Sequence, residues 1–191
     1  YFCPGEDTYL TDSIAEAVIK STRKAAFDCM KNPDDYTARA NMMWASSLAH
    51  NGLTQCGREF QLVVHQFEHE LSGMYPKIAH GAGLAALWCS WARYVYKANI
   101  SRWLQYSANV WNLDIDYEHP EKTIEEAINL QEQYYVSLGM PIGLKALGVE
   151  EASLTKLALN CSRNKTRTLT GYKPLAYDDI LAIYQMAYER G

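Results

Sequence analysis

The sequence lacks a concentration of positive charge, and it lacks an apolar run long enough to cross a membrane. Its 191 residues carry a net charge of −4, with 48% hydrophobic and 21% charged residues. No group of lysines and arginines forms the stripe expected of a nucleic-acid-binding surface. The most apolar stretch, around Leu84 to Trp91, is bounded by Arg93 and Lys97. We therefore expect neither nucleic acid nor a membrane among the partners.

Paired cysteines are also absent. The five cysteines are an odd number, lie far apart and include no Cys-x-x-Cys pair; they are Cys3, Cys29, Cys56, Cys89 and Cys161. This distribution argues against a disulfide framework and against a zinc ribbon. It is typical of buried thiols in a reducing compartment. We therefore expect a cytoplasmic protein.

Hydrophobic periodicity predicts helices almost throughout the chain, with no β-hairpin signature and no internal repeat. The length fits a single domain spanning residues 1–191. The expected helices are 11–30, 36–56, 58–74, 80–98, 99–111, 120–135, 150–160 and 178–190. We therefore predict an all-α domain, a bundle of about seven to nine helices.

Three of the five histidines, His65, His69 and His80, lie within sixteen residues. His65 and His69 are four residues apart, so in a helix they project from one face about one turn apart. His80 follows the break at Tyr75-Pro76 and can return toward that face. Imidazole is a common ligand of zinc and iron and a proton carrier near neutral pH. We predict that the chemistry lies here, and a helical scaffold or interaction domain with structural histidines stays open as an alternative.

The segment from His65 to His69 also spells the His-x-x-Glu-His pattern of inverted-motif zinc peptidases, in which the glutamate activates a water. In a helix, however, Glu68 points about 60° away from His65. The peptidase hypothesis also needs a downstream acidic ligand such as Glu125 or Glu126, and it leaves His80 without a role. A five-residue pattern arises easily by chance, so this alternative rests on little.

A longer pattern resembles the helical domain of iron-containing (group III) alcohol dehydrogenases, most of all their butanol dehydrogenase and aldehyde reductase branch. The resemblance covers essentially all 191 residues, and its most specific part is the histidine segment, which ends in His80-Gly81-Ala82-Gly83. Further matching segments are 32–36, 38–45, 51–53, 88–96 and 139–141. The resemblance implies the all-α, dehydroquinate synthase-like carboxy-terminal domain of such an enzyme.

Members of this family interconvert alcohols and aldehydes by exchanging hydride with NAD(H) or NADP(H). They usually hold one Fe²⁺, sometimes Zn²⁺, between an aspartate and three histidines. Carried over to this sequence, His65 and His80 are the metal ligands. His69 is the catalytic, cofactor-binding histidine, near the nicotinamide and substrate. The interval between His65 and His80 is one residue longer than in most relatives, which we expect the turn to absorb.

The resemblance gives Glu68 no role, so Glu68→Gln is expected to matter little. Trp88 and Tyr75 are candidates for the lining of an apolar substrate pocket, with core packing as the alternative. The segment from Gly81 to Gly83 follows no predicted strand. We therefore expect it to serve close packing at a helix start and not dinucleotide binding.

The family's other two metal ligands precede this domain, and the chain contains no dinucleotide-binding segment. Because the chain also begins at Tyr1, without a methionine or a charged leader, we expect the carboxy-terminal part of a longer enzyme. NAD(P) would be bound mainly by an amino-terminal domain that this chain lacks. We expect the chain alone to hold metal weakly and to be inactive. Exposed helix faces would favour a homodimer or other self-association.

Overall fold

The computed structural model describes residues 1–5 and 8–190, and over these residues it contains eight α-helices and no strand. The helices are α1 Tyr9–Lys31, α2 Tyr36–His50, α3 Val63–Met74, α4 His80–Val95, α5 Ile100–Trp111, α6 Pro120–Ser137, α7 Leu154–Cys161 and α8 Tyr177–Glu189. The predicted all-α fold is confirmed, and the helix count lies in the predicted range.

The sequence prediction was wrong between the second and third helices. The pattern predicted helix up to Cys56 and again from Arg58, but α2 ends at His50 and α3 begins at Val63. Gly52 has a φ of 91°, a left-handed conformation that a glycine adopts without steric cost and that ends a helix.

The segment between α2 and α3 pairs with the start of the chain. Arg58 forms an isolated antiparallel bridge with Gly5. The backbone N–H of Glu59 donates to the carbonyl of Pro4 over 2.8 Å. Backbone groups used in this way cannot continue a helix, because each N–H and C=O needs its own partner. The pairing holds residues 1–5 beside the segment that leads into α3.

The core is built around α4, in which nine of sixteen residues are buried. This helix is apolar on most of its surface, which is typical of a helix surrounded by others. It packs against α3, α6 and α8. On α3, the core-facing stripe carries Val64, Phe67 and Leu71 at helical spacing, which leaves His65 and His69 at its edge. No helix in the described part of the chain is long and apolar enough to span a membrane.

The α1–α2 pair differs from this core. The two helices pack mainly against each other, and on α2 only Ala38 and Ala45 are buried. Tyr36, Met43 and Trp44 expose 84%, 73% and 64% of their surface. This is the kind of exposed helix face for which self-association was predicted.

All five cysteines are free. Cys3, Cys89 and Cys161 are buried as predicted, whereas Cys29 is partly exposed and Cys56 is exposed. Burial raises the pKa of the Cys89 thiol to about 12, which keeps it protonated and unreactive at neutral pH. The prediction of buried thiols is therefore confirmed for three positions and wrong for Cys56.

Candidate metal centre

Three imidazole rings meet where α3 lies beside the first turn of α4. The ring centroids of His65 and His80 are 5.1 Å apart, those of His69 and His80 are 5.7 Å apart, and those of His65 and His69 are 6.0 Å apart. The fold thus brings together all three of the histidines that the sequence singled out.

The turn between α3 and α4 produces this arrangement. The N–H of Tyr75 donates to the carbonyl of Leu71 over 2.8 Å and closes the end of α3. The N–H of Ile78 then donates to the carbonyl of Tyr75 over 3.0 Å, which reverses the chain. His80 is the first residue of α4. The turn therefore brings His80 back beside the face of α3 that carries His65 and His69.

Glu68 lies beneath the histidines with no exposed surface. Its Oε1 accepts a hydrogen bond from the hydroxyl of Ser72, and its Oε2 contacts Nδ1 of His80. A methyl group at Gly83 would lie 2.8 Å from Cγ and 2.9 Å from Oε1 of Glu68. The expected close packing at this helix start is thus confirmed for Gly83.

Sequence reasoning missed the contact between Glu68 and His80. A signal was nevertheless present, because Glu68 follows Phe67 and precedes Leu71 by three residues and so lies on the apolar stripe of α3. A carboxylate at such a position requires a polar partner. The identity of that partner depends on the α3–α4 turn, which periodicity does not specify.

The distances between ligand atoms and the distances between ring centres select different sets of candidate metal ligands. Ligand atoms of Glu68, His69 and His80 all lie within 4.8 Å of one another, whereas by ring position His65 is nearest to His80. We assign Glu68 no ligand role, because both of its oxygens already have partners and neither reaches the surface. His69 and His80 are exposed and His65 is partly buried, so the three imidazoles are the candidates from which metal ligands can be drawn.

The same geometry contradicts the zinc-peptidase alternative. A glutamate without exposed surface cannot activate a water for attack on a peptide. Glu125, one of the acidic ligands proposed for that reaction, instead pairs with Arg93 over 3.4 Å.

The electrostatics around His65 favour the neutral ring. Burial lowers the pKa of His65, and the neighbouring His80 and His69 lower it further. A metal binds the deprotonated nitrogen of a neutral imidazole, so a depressed pKa keeps His65 available as a ligand at neutral pH. Neutral nitrogen donors suit Fe²⁺ and Zn²⁺, and the donor set therefore fits either ion.

A pocket of about 270 Å³ lies beside His65. Leu84, Trp88 and Trp91 of α4 contribute to its lining, together with Phe2 from the start of the chain. Trp88 is thus placed as predicted. Tyr75 is not among the lining residues, and its hydroxyl instead donates to Oγ of Ser153 over 2.7 Å.

Comparison with known proteins gives consistent matches along the chain. Residues 1–188 match the family described as "Fe-containing alcohol dehydrogenase family, C-terminal". The chain is 38% identical over 189 residues to NADH-dependent butanol dehydrogenase A of Clostridium acetobutylicum, a match covering 98% of the chain and 48% of that protein. It is 28% identical over 185 residues to NADPH-dependent aldehyde reductase YqhD of Escherichia coli, covering 95% and 46% respectively.

Solved structures show the same similarity. The chain superposes on NADH-dependent butanol dehydrogenase A of Thermotoga maritima with a TM-score of 0.90 and 29% identity, covering 98% of the chain and 48% of that structure. For the aldehyde reductase YqhD of Escherichia coli the TM-score is 0.89 at 26% identity, with the same coverage. The chain spans about half the length of the curated relatives it matches.

Proposed function

The chain belongs to the iron-containing alcohol dehydrogenase family, whose carboxy-terminal domain it matches, and we propose that it is the metal- and substrate-binding part of an NAD(P)-dependent enzyme that interconverts small alcohols and aldehydes. The observation that carries the proposal is the meeting of three imidazoles, one of which, that of His65, lines an apolar pocket. Relatives named as butanol dehydrogenases and an aldehyde reductase support the substrate class.

In this proposal His65 and His80 hold the metal, Fe²⁺ or Zn²⁺. Their rings are the nearest pair of the three, and the lowered pKa of His65 keeps its imidazole neutral. A metal held there would act as a Lewis acid toward the carbonyl oxygen of the aldehyde. The remaining ligands come from a part of the protein that precedes this chain.

His69 is the residue that faces the cofactor and handles the proton. It lies one helical turn after His65, its ring is exposed, and it is 5.7 Å from the ring of His80. An exposed imidazole can pass a proton to the substrate oxygen and exchange it with solvent, and we give His69 this role.

The pocket beside His65 binds the alkyl part of the substrate. Leu84 and Trp88 present apolar surface there, and such surface binds hydrocarbon and excludes water. Ligand pockets usually measure about 300–1,000 Å³. A volume of about 270 Å³ is therefore suited to a short aliphatic chain.

The chain by itself is proposed to be inactive. Two ligands out of four hold a metal weakly, and an amino-terminal domain binds most of the NAD(P). The exposed face of α2, with Met43 and Trp44, is proposed to support self-association of the isolated chain, including homodimers. The free cysteines are consistent with the reducing compartment proposed for the protein, the cytoplasm.

Histidine variants of the full-length protein test this proposal. His65→Ala and His80→Ala should each remove the bound metal, and with it the oxidation of NADH or NADPH in the presence of butanal. His119→Ala is the matched control, since His119 is exposed and, among the described residues, its side chain pairs with the partly exposed Asp116 alone. Metal content by atomic spectroscopy and coenzyme absorbance are the measurements. If His80→Ala retained wild-type metal content, the ligand assignment would be wrong.

The isolated chain provides a second test. It should show no turnover of butanal with either coenzyme, because it lacks two metal ligands and the cofactor domain. Measurable turnover by the purified 191-residue chain would contradict the proposal that an amino-terminal domain supplies the other two metal ligands and most of the NAD(P) binding.

A further inference from the structure

We propose that Glu68 is a positioning residue that fixes His80 for metal binding, and that Gly83 is the glycine that makes this contact sterically feasible. The proposal rests on the proposed function, in which His80 is a metal ligand. It differs from the expectation drawn from the sequence, which gave Glu68 no role and expected Glu68→Gln to matter little.

The first argument is the burial of the Glu68 carboxylate. It has no exposed surface, and in the described part of the chain its side-chain partners are the hydroxyl of Ser72 and Nδ1 of His80. No arginine or lysine pairs with it there. A buried carboxylate is costly unless it is hydrogen-bonded. The buried carboxylate is therefore stable only where it keeps its contact with the His80 ring.

The second argument is the choice of nitrogen on His80. Oε2 of Glu68 contacts Nδ1, so Nε2 is the nitrogen that remains to bind another group. A carboxylate that accepts from one ring N–H fixes the tautomer and the ring orientation and makes the other nitrogen a stronger ligand. His80 needs such support, because its side chain is 49% exposed and the surrounding protein encloses only part of it.

The third argument is the close approach of α4 to Glu68. Gly83 follows His80 by three residues and so lies on the same side of the helix. A Cβ atom there would come within 2.8 Å of Cγ and 2.9 Å of Oε1 of Glu68. At Gly81, two residues earlier, a Cβ atom would meet nothing within 4 Å. A methyl group at Gly83 would therefore displace Glu68, whereas a methyl group at Gly81 would displace nothing.

This difference supplies a matched pair of variants. Glycine is disfavoured inside a helix by about 1 kcal/mol relative to alanine, so Gly81→Ala and Gly83→Ala should both favour α4 itself. Only Gly83→Ala pushes the Glu68 carboxylate away from His80. A loss of metal affinity confined to Gly83→Ala therefore cannot come from damage to the helix.

The experiment uses the full-length protein freed of metal. Dissociation constants for Zn²⁺ are measured by competition with a chromophoric chelator, and the Co²⁺-substituted protein is examined by visible absorption. Glu68→Ala and Gly83→Ala should weaken Zn²⁺ binding about 10- to 100-fold, the usual effect of removing a partner of a metal-bound histidine. Both should also change the Co²⁺ spectrum. Glu68→Gln keeps an acceptor of the same shape, so it should retain more affinity than Glu68→Ala.

Controls separate positioning from simple stability. Gly81→Ala and Glu70→Gln, which changes the other glutamate of α3, one that is not buried, should bind Zn²⁺ as the wild type does. The double variant Glu68→Ala/Gly83→Ala should bind Zn²⁺ no more weakly than Glu68→Ala alone, because both substitutions disrupt the same contact between Glu68 and His80. Urea unfolding of each metal-free variant establishes that it is folded before affinities are compared.

Two outcomes would overturn the proposal. One is wild-type Zn²⁺ affinity and an unchanged Co²⁺ spectrum in folded Glu68→Ala or Gly83→Ala protein. The other is an equal loss of affinity in Gly81→Ala and Gly83→Ala. Either result, obtained while His80→Ala still abolishes metal binding, removes the role of Glu68 and leaves the proposed function intact. Retention of metal in His80→Ala protein would instead remove the proposed function.

Discussion

Two buried carboxylates in this domain, Asp12 on α1 and Glu68 on α3, have opposite surroundings. Asp12 is 4% exposed, and both of its oxygens are bound by guanidinium groups, from Arg58 and from Arg102 at 2.5 Å. Glu68 is fully buried and meets an imidazole and a hydroxyl. The charge of Asp12 is balanced by the two arginines, and the carboxylate is buried with them away from solvent. The cluster of Glu68 reaches the surface through the half-exposed ring of His80.

The difference shows how similar residues serve different ends. Around Asp12 the partners come from two other parts of the chain, Arg102 on α5 and Arg58 in the segment before α3, so the cluster ties α1 to both. Glu16, one turn later, extends it by accepting from the hydroxyl of Tyr1 at 2.6 Å and from Gln105 at 2.9 Å. Around Glu68 the partners lie within one turn of helix and one reverse turn, and the rings of His65 and His69 form no hydrogen bond with another described residue. The first cluster stabilises the fold, and the second belongs to the proposed metal site.

The largest effect is expected for Asp12→Ala in the isolated chain. Removing this carboxylate takes away the acidic partner that two guanidinium groups have among the described residues, and breaking a buried ion pair from one side costs about 3–5 kcal/mol. The free energy of unfolding in urea should fall by that amount. Asp28→Ala is the control, since Asp28 pairs at the surface with the exposed Lys24, and such pairs contribute little. A loss of similar size in both variants would break the comparison.

Acid titration should reduce the stabilising contribution of Asp12. Burial by itself raises the pKa of this carboxyl, but hydrogen bonds from Arg102 and Gln105 and the charges of Arg102 and Arg58 together hold it below its ordinary value. A carboxyl with a lowered folded-state pKa stabilises the protein above its unfolded pKa, about 3.9, and loses that effect as the pH falls. The stability gap between wild type and Asp12→Ala should stay constant from pH 7 to 5 and narrow below about pH 4. A gap unchanged at pH 3 would contradict this assignment.

His80→Ala should destabilise the metal-free chain by a smaller amount. The substitution leaves the buried Glu68 carboxylate without its imidazole partner, and an unsatisfied buried polar group costs about 1–3 kcal/mol. Urea unfolding at pH 7 is the measurement. If Glu68→Ala/His80→Ala restored part of the loss, the cost would be traced to the stranded carboxylate. Full stability in His80→Ala would show that the two residues are not coupled.

The smallest effect on stability is expected for His69→Ala. The ring is exposed, and surface substitutions without special contacts usually change the free energy of unfolding by about 0.5 kcal/mol or less. In the full-length protein the same variant should lose turnover of butanal while retaining metal. Loss of metal in His69→Ala protein, with metal retained in His65→Ala protein, would exchange the roles given to these two histidines.

The fold was largely predictable because helices are specified by local patterns. Helix starts at Tyr36, His80 and Pro120 follow from a capping aspartate, a break after Pro76 and a proline at the first helical position. The prediction failed between His50 and Val63, where the chain pairs with residues 4 and 5. Helix propensity is judged from neighbouring residues, and this partner lies more than fifty residues away in the sequence.

The sequence by itself determined the helical architecture and the histidine face. Spacing of four residues on one helix puts His65 and His69 on one side, whatever surrounds them. Only the tertiary structure decided which side chains complete the site: Glu68 beneath His80, Gly83 against Glu68, and Trp88 but not Tyr75 in the pocket. The reason is physical, because these contacts join residues across a turn or between helices, and their distances are set by packing and not by periodicity.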